Sequence, residues 1–150
     1  MNFKAKQTMK KKLQLIPLLM LLLLGMNSCN LWEEEEEVEG DVRDRFLGSW
    51  TVTETSKLLG TRNYKVTIEK DASFPARVNM YNLYALGTDK DSVIANVSSV
   101  LVNTITIPNQ TRNANYIGGQ GEMVDEIKIN FDFTVDDGND IDTVTAVFVR

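Results

Sequence analysis

The chain has 150 residues, with 16 Lys+Arg against 21 Asp+Glu, a formal charge of −5, one cysteine and no histidine. Without histidine, the Ser-His-Asp and Cys-His nucleophile systems, His-ligated zinc and the commonest general base are excluded. The acid excess excludes nucleic-acid binding, which needs clustered Lys and Arg against phosphate, and the lone cysteine has no partner for an internal disulfide.

Lys4, Lys6, Lys10, Lys11 and Lys12 form an acid-free positive segment, followed by an apolar run from Leu13 to Gly25 and small or polar residues up to Cys29. This is the layout of a signal peptide. As a helix, Leu13 to Met26 would reach only about 21 Å, short of the roughly 30 Å hydrocarbon core, so cleavage of residues 1–28 is expected rather than membrane spanning. The Leu-rich run and Met26-Asn27-Ser28-Cys29 resemble the lipobox of bacterial lipoproteins, whose cysteine is acylated and becomes the new N-terminus. That resemblance implies a lipid anchor, palmitate included, at Cys29. Five of the sixteen basic residues precede Cys29, so a mature chain of 122 residues would keep eleven against twenty-one acids, a charge of −10. Anionic lipid repels such a chain, so the acyl chains must hold it.

Residues 29–40 carry the anchor and then Glu33 to Glu37, with no periodic apolar face. Mutual repulsion predicts an extended, disordered tether, reaching at most about 40 Å from Asn30 to Asp41. An acidic block just after a lipidated cysteine resembles the surface-export signal of lipoproteins from Bacteroidetes-type bacteria. It implies an outer-membrane location facing the cell exterior.

From residue 41 to 150 the chain alternates β-branched runs with turn residues and reads as all-β. Trp50 and Val52 alternate with threonines; Tyr64, Val66 and Ile68 follow, then Val78 and Met80. Val93, Ala95 and Val97 come after the Gly87-Thr88-Asp89-Lys90 turn, and Ile105 and Ile107 lead to Pro108. Asn115-Tyr116-Ile117 runs into Gly118, Gly119 and Gly121, whose clustering predicts a bulge or bend near an edge or barrel corner. Ile127, Ile129, Phe131, Phe133 and Val135 share one face of the clearest strand, Glu126 to Val135. Its partner, Thr143 to Arg150, follows a turn and places Val144, Ala146, Phe148 and Arg150 on one face. Eight strands with short connections and no helical periodicity predict an antiparallel up-and-down meander, best closed into a small barrel.

Phe46-Leu47-Gly48-Ser49-Trp50 resembles the Gly-x-Trp opening of lipocalin-like, or calycin, barrels. The resemblance makes Val42 to Leu47 the turn that plugs the barrel's closed end and Gly48, Trp50 and Arg150 its structural residues, the arginine lying over the tryptophan. Strand parity agrees, because in an eight-stranded meander the last strand ends beside the start of the first. The whole domain is similar to small calycin-like lipoproteins of Bacteroidetes-type bacteria.

The inward face by alternation is apolar, with no charge except Arg150. It is either a filled core or a pocket for a small apolar ligand lined by Tyr64, Met80, Phe131, Phe133 and Phe148; close packing of interiors favours the filled core. The in-strand acids Glu54, Glu69, Glu126 and Asp132 read as solvated surface. The acids Asp136, Asp137, Asp140 and Asp142, with Asn139, flank Gly138 in a spacing that misses the EF-hand pattern, so turn chemistry accounts for all of them and no metal or cofactor is expected. Asp91-Ser92-Val93 and Asp142-Thr143-Val144 resemble O-glycosylation acceptors. The expectation is a non-enzymatic binding or accessory module with an envelope protein or glycan as partner; the alternative is a carrier of a small apolar ligand.

Overall fold

The structure is a computed structural model that describes residue 40 to residue 87 and residue 91 to residue 150. Cys29, the signal peptide, the tether up to residue 39 and the Thr88-Asp89-Lys90 turn lie outside the described residues.

Eight antiparallel strands follow one another around a closed barrel. They are β1 Gly48–Ser56, β2 Gly60–Lys70, β3 Arg77–Tyr81, β4 Val93–Val97, β5 Thr104–Arg112, β6 Asn115–Asp125, β7 Lys128–Asp136 and β8 Ile141–Val149. β8 returns to β1, with Phe148 opposite Val52 and Val144 opposite Ser56. This is the all-β up-and-down meander that the alternation predicts, and closure pairs both edges. The boundary between β4 and β5 falls in the turn after Val97, ahead of Thr104.

Alternation builds the core directly. Along β1, β7 and β8 every second residue is buried, while outward positions such as Thr51, Thr53, Thr55 and Thr145 are exposed. Phe131 and Phe148 pack at 4.6 Å between ring centroids, and Trp50, Met80, Ile129 and Phe148 have no accessible surface. A side chain with none has no water-sized void beside it, so the barrel is closely packed around these four.

Irregularities have local causes. Pro108 cannot donate to a ladder, and the register between β5 and β6 slips between Ile107 and Gln110 to accommodate it. The bulge therefore sits on β5, opposite the glycine-rich strand. The glycines serve close approach instead: a Cβ on Gly121 would lie 2.5 Å from the Phe131 ring. Where the β4–β5 ladder stops, the Gln110 amide replaces it, accepting from Ile94 N at 2.9 Å and donating to Ile94 O at 2.7 Å.

Two expectations for the interior are corrected. Ile127 is exposed, because β7 begins only at Lys128 and the register shift between Met123 and Asp125 turns the chain there. The interior is also not free of charge: Glu54 and Asp142 are buried in it, with Ser56.

Candidate functional site

At one end the N-terminal turn Asp44–Phe46 closes the barrel. Gly48 holds φ at 110°, in the region that favours glycine, and so lets the chain swing from that turn into β1. Trp50 Nε1 donates to the Phe46 carbonyl at 2.9 Å. The Arg150 guanidinium lies 4.5 Å from the centre of the Trp50 ring, and it donates to the carbonyls of Glu126, Leu47 and Arg45 at 2.8, 3.0 and 3.1 Å. Arg43 reaches the carbonyls of Asp71, Phe74 and Arg77, and Arg45 that of Val102. Three arginines thus bind the N-terminal turn to the three loops at this end.

The opposite end holds the titratable cluster. The inward parity of Trp50 and Val52 continues to Glu54 and Ser56, and β2 sets Arg62 opposite Glu54 and Tyr64 opposite Val52. Glu54 forms an ion pair with Arg62, whose Nε donates at 3.0 Å, and accepts from the Tyr64 hydroxyl. Asp142 accepts from Ser56 Oγ at 2.5 Å, Tyr84 Oη at 2.7 Å and Leu58 N at 3.1 Å.

Tyr84 stoppers this end. It stands in the turn Leu83–Ala85 between β3 and β4, with Asn82, Tyr84 and Ala85 all at positive φ of 65°, 55° and 57°. For residues other than glycine that conformation costs about 1–2 kcal/mol each and persists only where the surroundings impose it. They do so here. The Arg62 guanidinium covers the Tyr84 ring at 4.4 Å, Phe133 meets it edge-on at 6.3 Å, and its backbone N–H donates to the Tyr64 hydroxyl at 3.1 Å. Asn82 anchors the turn by donating to the Lys65 carbonyl and accepting from Gly87 N.

Burial pushes the Tyr84 hydroxyl up to about 12, helped by its bond to Asp142. Burial also raises Tyr64, reinforced by Glu54. Burial opposes the charge of Asp142, but hydrogen bonds from Ser56, Tyr84 and Leu58 outweigh it and hold the carboxyl below the usual range. A carboxylate held ionised is a poor general acid, which needs a raised pKa. Chemically the cluster is a latch.

Of the five residues proposed to line a pocket, Met80, Phe131, Phe133 and Phe148 are buried in the packed core and Tyr64 is partly buried at the latch. The reading of Glu54 as surface and of Asp142 as turn chemistry is overturned by their burial and partners. Parity with Trp50 and with Val144 carried that signal; Tyr84 had none, since its place depends on a turn folding over the rim. Asp136 and Asp137 of the β7–β8 turn do serve the turn, Asp136 accepting from Gly138 N and Asp137 from the backbone of Asn139 and Asp140. Among the described residues no group of His, Cys, Asp or Glu is placed to hold a metal ion. Thr143 is exposed, and Ser92 Oγ donates to Asn79.

No family model matches the chain, and no curated protein does. Among solved structures it is similar to a redesigned β-barrel, at a TM-score of 0.55 and 18% identity over 75% of this chain and 96% of that one. It is also similar to the redesigned β-barrel mFAP1, bound to DFHBI, at a TM-score of 0.52 and 15% identity over 74% of this chain and 100% of that one. At such identities the likeness is one of fold, and the fold they share is the small closed β-barrel.

Proposed function

We propose that the chain is a lipid-anchored, non-enzymatic binding or accessory module. In this reading Cys29 carries the acyl anchor, the acidic tether stands the lipocalin-like barrel off the outer membrane on the cell's exterior, and the outer wall meets an envelope partner. One observation carries it: the inward side chains pack closely, with Phe131 against Phe148 and no accessible surface on Trp50, Met80 or Phe148. A pocket needs a concavity, and packing to crystal-like density leaves none. The ionised, fully bonded Asp142 supports the non-enzymatic part.

A second reading, a carrier of a small apolar ligand, is favoured by Tyr84. Its strained turn plugs the open end, and displacing it would uncover Phe133 beneath a polar rim. mFAP1 is bound to DFHBI, so a barrel of this fold holds a small ligand in that protein.

Native mass spectrometry of residues 41–150 separates the two. The module reading predicts a bare mass and no quenching of Trp50 by fatty acids, while a co-purifying lipid-sized mass favours the carrier. Palmitate labelling tests the anchor: label lost in Cys29→Ala supports it, and label retained refutes it.

A further inference from the structure

The outer wall carries a groove of about 280 Å³ over β4, lined by Arg77, Ile94, Asn96, Pro108, Gln110 and Arg112. Its shape follows from the β5 bulge at Pro108, which lifts one wall, and from the Gln110 amide, which is locked onto Ile94 and keeps that wall rigid. Its lining contains two guanidiniums and no acid, in a chain of net charge −5.

Both arginines are held in place. Arg112 Nε donates to the Ser92 carbonyl at 2.7 Å and Nη1 to its own Thr111 carbonyl at 2.8 Å. Arg77 lies 4.1 Å over the Phe74 ring, and its buried Nε has no hydrogen-bond partner among the described residues. Asp71 Oδ2 forms an ion pair with it at 3.6 Å, too long for a hydrogen bond, while Asp71 Oδ1 accepts from Ser73 N and Phe74 N to form its own turn. The ion pairs at Arg43 and Arg62 are different: Asp41 and Glu54 make close hydrogen bonds to them.

We propose, building on the module reading, that this groove is a docking socket for an acidic side chain of a partner protein. Arg77 and Arg112 receive the carboxylate, and Ile94 and Pro108 receive its methylene stem. Charge complementarity selects the acid. An acidic sugar is disfavoured because no aromatic ring lines the groove for a sugar to stack on.

The test is an NMR titration of the full-length chain in detergent micelles with N-acetyl-glutamate and its neutral isostere N-acetyl-glutamine, both with the α-carboxyl blocked as the N-methylamide, and with glucuronate and inorganic sulfate. Saturable shifts of Ile94 and Asn96 amides and of the Arg77 and Arg112 Nε–H signals with N-acetyl-glutamate alone are expected. Arg77→Gln and Arg112→Gln should each weaken binding about tenfold or more, as loss of a charge-assisted bond does. Should either variant misfold, Asn96→Asp, on an exposed position, should abolish binding by placing a carboxylate in the groove. Equal shifts with the glutamine isostere, tighter binding of glucuronate or sulfate, or no shift at all would overturn the proposal. None of those outcomes bears on whether the interior is full, so the module reading is judged separately.

Discussion

Tyr84 Oη donates a 2.7 Å hydrogen bond to Asp142 Oδ2, and this bond joins the turn after β3 to the start of β8. The two residues come from opposite sides of the rim. Tyr84 also meets Phe133 and Arg62, while Asp142 holds Ser56 and Leu58, so the latch ties the rim to the packed core.

Removing that bond should loosen the rim measurably. Tyr84→Phe keeps the ring but deprives a buried carboxylate of a donor, a loss of about 1.5–3 kcal/mol for a bond to a charged group. Urea denaturation should show a lower midpoint with an unchanged slope. Tyr84→Ala should cost more and leave a phenol-shaped gap, so p-cresol should raise its Tm and leave the wild type unaffected.

Stability should fall at both extremes of pH. Asp142 has a folded pKa below its unfolded value of about 3.9, so its contribution is complete above that value and is lost as pH falls through the folded one. Tyr84 has a folded pKa of about 12 against an unfolded value near 10. Its contribution is complete below about pH 10 and is lost as pH rises toward 12. Denaturation midpoints across pH should show Asp142→Asn flattening the acid limb and Tyr84→Phe flattening the alkaline one, each from a lower plateau.

At the other end, Arg150→Ala removes the cation–π contact with Trp50 and three bonds to carbonyls. A loss of about 1–3 kcal/mol is expected, combining about 0.5–2 from the ring contact with the hydrogen bonds. Arg150→Lys should recover only a minor part, because an ammonium cannot span three carbonyls from one plane. Trp50 emission in equilibrium unfolding reads both.

Gly121→Ala should destabilise by about 1–3 kcal/mol, the usual cost of overpacking, because the new methyl meets the Phe131 ring and Phe148 blocks its retreat. Pairing it with Phe131→Leu should cost less than the sum of the two single changes. A double-mutant cycle by calorimetry measures that coupling.

The architecture was legible because burial repeats every second residue, and Trp50, Val52, Phe131 and Phe148 follow that period without exception. The same period ran on to Glu54, Ser56 and Asp142. The acids Glu54 and Asp142 escape a sequence reading because acids are seldom buried unless paired, and their pairing depends on Arg62, Tyr64 and Tyr84 from other strands and turns. Ile127 breaks the period for the converse reason: alternation says nothing about where a register shift ends a strand. The Tyr84 turn lies beyond any periodic signal, since its positive φ values are imposed by contacts across the rim.

Xenon under pressure, followed by NMR, tests the full interior most directly, because it enters dry apolar cavities that water leaves empty. A solid core predicts no saturable shift at Met80, Phe131 or Phe148 in the wild-type barrel. A saturable shift centred on those three would mean that the barrel encloses an open pocket.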